Sequence, residues 1–108
     1  MNNSPITEHL KEINDSCYRF RVSTLYAFGS VLTSEFKETS DIDFIVDFDE
    51  TDPFAYGELY FGLKFELEQL LHHKIDLLES KSLKNQRFRQ AITPHMQLVY
   101  AGRNRPMA

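Results

Sequence analysis

Eight residues, Asp41-Ile42-Asp43-Phe44-Ile45-Val46-Asp47-Phe48, constrain this chain more than any other segment. Side chains alternate sides along a strand. Ile42, Phe44, Val46 and Phe48 therefore share one face, and Asp41, Asp43, Ile45 and Asp47 share the other. The first face belongs in a core. The second carries carboxylates where a half-buried strand usually carries groups that cost less to desolvate. Two carboxylates at i and i+2 on one side, with Cα atoms roughly 6 to 7 Å apart, can converge on one hard cation. Mg²⁺ is typically held by one or two carboxylates together with substrate phosphates. Taken alone, an Asp-x-Asp strand also suits a plain solvent-facing edge.

The flanking segments supply the elements for a fold around this strand. Ser4-Pro5 reads as an N-cap followed by a first-turn proline, and Ile6, Leu10, Ile13 and Cys17 make one helical face. The spacing predicts a helix from residue 4 to near Phe20. Thr24 to Phe28 reads as a strand stopped by Gly29-Ser30, with a short helix over Val31 to Phe36 and a polar loop to Ser40. A long helix from Phe54 or Ala55 to Leu71 carries Tyr56, Leu59, Tyr60, Leu63, Leu67, Leu70 and Leu71 as one stripe. Phe61 and Phe65 fall on its opposite side, where an aromatic pair is a candidate contact for a partner or a second copy. Lys74 to Leu78 reads as a strand, Ser82 to about Ile92 as a helix capped by Ser82, and Met96 to Tyr100 as a last strand. The order is an α/β sandwich: a small mixed β-sheet with helices packed on it.

With 108 residues the chain is expected to be one domain, core about 22–101, with an N-terminal helix at 4–19 and a tail at 102–108. Apolar residues at 42% support a folded core. No apolar run approaches the ~20 residues needed to span a bilayer, and the first residues lack the pattern of a secretory signal. A cytoplasmic location is the default expectation. Sixteen acidic against twelve basic residues argue against a protein built to track a phosphate backbone. The single cysteine, Cys17, lies in the helical stripe and reads as a small buried hydrophobe. His72-His73 suggests metal at first sight, but neighbouring helical side chains diverge by about 100°, so a zinc site is not expected.

Two further features bear on chemistry. Gly29 permits a sharp turn and a close backbone approach, and amide groups opening a helix after it would suit an anion. Asp76 sits between Ile75 and Leu77. If its strand lies beside the Asp41–Asp43 strand, it faces the same site, as a second metal ligand or a proton acceptor. Each feature is weak alone, and the joint order is specific: Gly29-Ser30, ten residues, Asp41-x-Asp43, a helix, then a strand with Asp76.

That order resembles the DNA-polymerase-β-like nucleotidyltransferase superfamily. The shortest members, the minimal nucleotidyltransferases (MNT, MntA-like), are the close match, from about Leu25 to Tyr100. Leu25-Tyr26-Ala27-Phe28-Gly29-Ser30, Ser40-Asp41-Ile42-Asp43-Phe44-Ile45-Val46 and Lys74-Ile75-Asp76-Leu77-Leu78 carry the resemblance. It implies that Gly29 and Ser30 contact the phosphates of a nucleoside triphosphate, ATP by the family's habit. It implies that Asp41, Asp43 and Asp76 form an acidic triad holding Mg²⁺, and that AMP is transferred to an acceptor. It further implies a helical HEPN toxin as partner, with this chain as the antitoxin that adenylylates it. The sequence departs from the pattern at Val31, where many relatives carry a basic residue after Gly-Ser. Lys37, or Lys81, Lys84, Arg87 and Arg89, are the substitutes available. The departure keeps a second reading open, an MNT-fold module that neutralises its partner by contact with weak or no catalysis. An aminoglycoside-type transferase or a polymerase fits less well, for want of an acceptor domain and of a basic template groove.

Overall fold

A computed structural model describes residues 4–80, 83 and 85–102. It contains four strands: β1 (Val22–Phe28), β2 (Ile42–Phe48), β3 (Ile75–Glu79) and β4 (Met96–Ala101). Its α-helices are α1 (Pro5–Glu8), α2 (Leu10–Arg19), α3 (Pro53–Leu71) and α4 (Gln86–Ile92). The strands form one mixed sheet in the order β3-β2-β1-β4. β1 pairs antiparallel with both β2 and β4. β2 and β3 run parallel, as strands joined through a helix can.

The apolar face of β2 lies where its alternation predicts. Ile42, Phe44 and Val46 are fully buried with Leu25, Ala27, Ile75 and Leu77 from the neighbouring strands. Ile13 and Cys17 of α2 and Leu63, Leu67 and Leu71 of α3 close over them. Burying each such aliphatic side chain contributes about 1.5–3 kcal/mol. The odd step from Val22 to Leu25 on one face is absorbed by an irregularity in the β1–β2 pairing between Val22 and Thr24. The Cys17 thiol is pushed up to about 12 by burial, in keeping with a hydrophobe and not a nucleophile.

The helix expected over residues 4 to 20 is broken at His9, whose ring Nδ1 meets the Pro5 carbonyl at 3.1 Å. The break puts Leu10 outside the buried stripe, 42% exposed, and Ser16 into it. Ser16 Oγ donates to Glu66 Oε2 at 2.5 Å, and Arg19 also pairs with Glu66, tying α2 to α3. Pro53 starts α3 behind an Asp52 cap that accepts from the Ala55 amide at 2.9 Å. α4 starts at Gln86 behind Asn85, which accepts from the Phe88 amide. The expected cap, Ser82, lies outside the described residues. Gly102, read as the first residue of a tail, is buried and donates to the Ser23 carbonyl at 2.7 Å; residues 103–108 lie outside the described residues. Among the described residues no helix is long and apolar enough to cross a membrane.

Candidate active site

The second face of β2 carries the candidate chemistry. Asp43 follows the buried Ile42 and precedes the buried Phe44, so its side chain leaves the sheet on the side away from α2 and α3. Its neighbour in the parallel ladder is Asp76 of β3, and its neighbour on the other side is Phe28, the last residue of β1. The parallel pairing expected to bring Asp76 to the Asp41–Asp43 strand is therefore present, in register at Asp43. Asp41 stands one residue before β2 and is exposed, as is Asp76, while Asp43 is half-buried.

This crowding shifts Asp43. Its carboxyl is pushed up to about 6, first by burial, then by the negative charges of Asp76 and Asp41 and a hydrogen bond with Asp76. Nothing in the packing of the sheet calls for acids here; a bound cation would relieve their repulsion. The three carboxylates are not drawn into one ready-made cage: among the described residues no three His, Cys, Asp or Glu side chains are gathered closely enough to hold a metal ion. Asp43 and Asp76 are hard oxygen donors of the kind that could hold a Mg²⁺ ion together with phosphate.

Gly29 closes the site from β1. Its φ is +85°, a left-handed conformation that side chains disfavour. A Cβ there would stand 2.5 Å from Asp43 Oδ2. Residues Gly29–Leu32 form one turn of 3-10 helix, in place of the helix expected over Val31 to Phe36. Thr33 stops it, donating from both its amide and its hydroxyl to the Ser30 carbonyl at 2.9 Å. Val31, at the position where many relatives carry a basic residue, is buried in the core at 4% exposure. Its side chain belongs to the packing and not to the site.

The substitutes for that missing charge divide. Lys37 is exposed on the loop before Asp41. Arg89 donates to the Leu83 carbonyl at 3.0 Å and lines a cleft of about 330 Å³ with Thr24, Tyr26, Ile45 and Asp47. This cleft lies on the same sheet face as Asp43, beginning two residues further along β2. Its volume is in the range of small-ligand pockets. Lys81 and Lys84 lie outside the described residues, and Arg87 is exposed on α4.

The last turn of α3 and the residues after it hold features not legible in the sequence. His72 caps α3 with a φ of 57°, so His72 and His73 stand in a turn and not on the helix. His73 Nδ1 lies 2.8 Å from the Ser40 carbonyl, and its ring packs on Phe36 with centroids 4.9 Å apart. Glu68 Oε2 accepts from the Ile75 amide at 3.1 Å and from Lys64 at 2.9 Å. The carboxyl of Glu68 is lowered by Lys64 first and by the Ile75 amide next.

The nucleotidyltransferase domain family matches residues 7–99. The chain belongs to this family. It is an enzyme of the nucleotidyltransferase class. Among curated relatives it is similar to the protein adenylyltransferase MntA of Thermococcus cleftensis, 38% identical over 82 residues, 76% of this chain and 77% of the relative. It is also similar to a candidate protein adenylyltransferase of Methanocaldococcus jannaschii, 36% identical over 78 residues, 72% of this chain and 84% of the relative.

Solved structures agree on the polymerase-β-like nucleotidyltransferase fold. One is a candidate minimal nucleotidyltransferase, TM-score 0.67 at 26% identity, covering 84% of this chain and 89% of that one. Another is a toxin–antitoxin crystallised with AMP-PNP, TM-score 0.65 at 19% identity, covering 88% and 75%. A third is a complex of a tri-AMPylated Shewanella oneidensis HEPN toxin with its MNT antitoxin, TM-score 0.52 at 17% identity, covering 88% and 75%.

Proposed function

We propose that this nucleotidyltransferase transfers AMP from ATP, with Mg²⁺, to a side-chain hydroxyl of a HEPN-type toxin, and that it serves as the antitoxin of that pair. The observation that carries the reading is the register of Asp43 against Asp76, with the bare backbone of Gly29 against the Asp43 carboxylate. The relatives named as protein adenylyltransferases support the acceptor class, and the AMPylated toxin complex supports the partner.

Asp43 and Asp76, with Asp41 beside them, would hold Mg²⁺ against the triphosphate. Bound there, the ion supplies charge stabilisation to the phosphate oxygens of an in-line displacement. Gly29 and Ser30 lie against the phosphates, where a side chain on residue 29 would intrude. The acceptor oxygen bonds to the α-phosphorus and the bond from that phosphorus to the β-phosphate bridging oxygen breaks. Pyrophosphate leaves, and the hydroxyl proton passes to Asp76, the more exposed of the two paired acids. The exposed Phe61 and Phe65 of α3 form the contact for the protein partner.

The test is thermal unfolding with Mg²⁺ and ATP, for wild type and for Asp41→Asn/Asp43→Asn. A ligand at a hundredfold excess over Kd stabilises by about 2.7 kcal/mol. A Mg²⁺-dependent shift in wild type that is absent from the double variant supports the site. No shift at millimolar ATP overturns catalysis. One observation favours a second reading, a module that neutralises its partner by contact. Val31 leaves the turn after Ser30 without the cation that would meet a triphosphate. Complex formation with the partner in the absence of any nucleotide shift would select it.

A further inference from the structure

Asp41 lies one residue before β2, on an exposed loop, so the sheet holds only the peptide on its C-terminal side. Both peptide units that flank it are nonetheless anchored, and to adjacent residues of one turn. The carbonyl of Ser40, in the peptide on the N-terminal side of Asp41, is held by His73 Nδ1 at 2.8 Å. The amide of Ile42, in the peptide on the C-terminal side, donates to the Lys74 carbonyl at 2.9 Å. A carbonyl only accepts, so Nδ1 of His73 is the protonated ring nitrogen in this contact. The loop is tight on its other side as well. Ser40 donates its amide to the Lys37 carbonyl at 3.0 Å and accepts the Lys37 amide on its hydroxyl at 2.9 Å.

The same turn is fixed to β3. The Ile75 amide, one residue before Asp76, donates to Glu68 of α3. His73 itself is steadied by its packing on Phe36. The three acids are carried on two separate stretches of chain, 41–43 and 76. The turn at residues 72–74 touches both, and His73 makes the one side-chain hydrogen bond in it that reaches the Asp41 loop among the described residues.

We propose that His73 is a positioning residue for the metal–nucleotide site: its Nδ1–H holds the Ser40 carbonyl and so sets where the Asp41 carboxylate stands relative to Asp43 and Asp76. The proposal rests on the nucleotidyltransferase site described above. Groups that orient metal ligands from behind typically change metal affinity by about 10- to 100-fold when removed.

Two substitutions separate the hydrogen bond from the packing. His73→Phe keeps a ring against Phe36 and loses the donor. His73→Asn places an amide N–H near the position of Nδ1 and loses the ring. Binding of Mn²⁺ together with α,β-methylene-ATP, which cannot transfer AMP, is followed by the loss of the free-Mn²⁺ electron-spin-resonance signal on the full chain. His73→Phe is expected to weaken Mn²⁺ binding about tenfold or more, and His73→Asn to bind within a few-fold of wild type. Thermal unfolding in chelator checks that both variants are folded. Equal affinity of His73→Phe and wild type overturns the proposal, and so does an Asn variant as weak as Phe. If His73→Phe fails to fold, His73→Asn decides alone: near-wild-type binding supports the positioning role and a tenfold loss overturns it. Wild type that binds no Mn²⁺ removes the metal–nucleotide site itself, a result distinct from wild-type binding that the variants leave unchanged.

Discussion

The backbone of Gly29 lies against the Asp43 carboxylate so closely that a Cβ on residue 29 would stand 2.5 Å from Oδ2. The turn after β1 and the acid on β2 are therefore one unit. Gly29→Ala imposes two costs. It places a side chain at a φ of +85°, which costs roughly 1–2 kcal/mol, and it pushes Asp43 off its present position. The expected outcome is a lower midpoint in chelator, together with a weaker Mg²⁺–ATP shift than the lost stability alone would give. Denaturant unfolding and ligand titration of the same variant measure the two effects separately.

The Asp43 carboxyl is raised to about 6 by burial and by Asp76 and Asp41. The sign follows from linkage. A group whose folded pKa lies above its ordinary value favours its protonated form in the folded chain. Its contribution is therefore greatest below about pH 4 and is lost as pH rises to about 6. Asp43→Asn removes the repulsion without losing the shape. It should raise the unfolding midpoint in chelator at pH 7 and change it little at pH 4. An unchanged midpoint at pH 7 would mean the acids are not crowded.

The same proton competes with a cation. Divalent-ion binding requires Asp43 ionised, so affinity should fall steadily as pH drops from 7 to 5. Mn²⁺ titrations across that range measure it. A flat profile would place the ion away from Asp43.

Phe61 and Phe65 are 67% and 64% exposed, and Phe54 on the same helix is 86% exposed. Replacing Phe61 and Phe65 by Ala removes the edge-on contact of Phe61 with the Tyr60 ring, centroids 5.0 Å apart, but no buried side chain, so stability should fall by no more than about 1.5 kcal/mol. Binding to a HEPN-type partner should weaken strongly, since aromatic contact residues dominate interface energies. Size-exclusion chromatography of the mixed proteins tests it; unaltered complex formation would move the partner contact elsewhere.

Periodicity made most elements legible. The alternation of Ile42, Phe44, Val46 and Phe48 set the orientation of β2 against the core, and with it the side from which Asp43 projects. The leucine stripe of α3 gave its buried face. Periodicity failed where a single residue turns the chain. His9 breaks the first helix and moves Leu10 outward, a local hydrogen bond that no hydrophobic pattern encodes. The one-turn 3-10 segment at Gly29–Leu32 is too short to carry a period. Val31 looked like a missing cation in the sequence and is a core residue in the fold. The sequence pattern gives His72-His73 no metal role, and the fold sets the His73 ring nitrogen against the Ser40 carbonyl, 33 residues away along the chain.

By itself the sequence determined most of the elements, the inward faces of β2 and α3 and the identity of the acids, because these depend on spacing within one segment. Only the tertiary structure decided that β3 lies parallel to β2 with Asp76 beside Asp43, that Gly29 meets the Asp43 carboxylate, and that one turn anchors both peptides around Asp41. Those relations join segments tens of residues apart. They follow from how the sheet pairs and how α3 delivers the chain to β3, which no local pattern specifies.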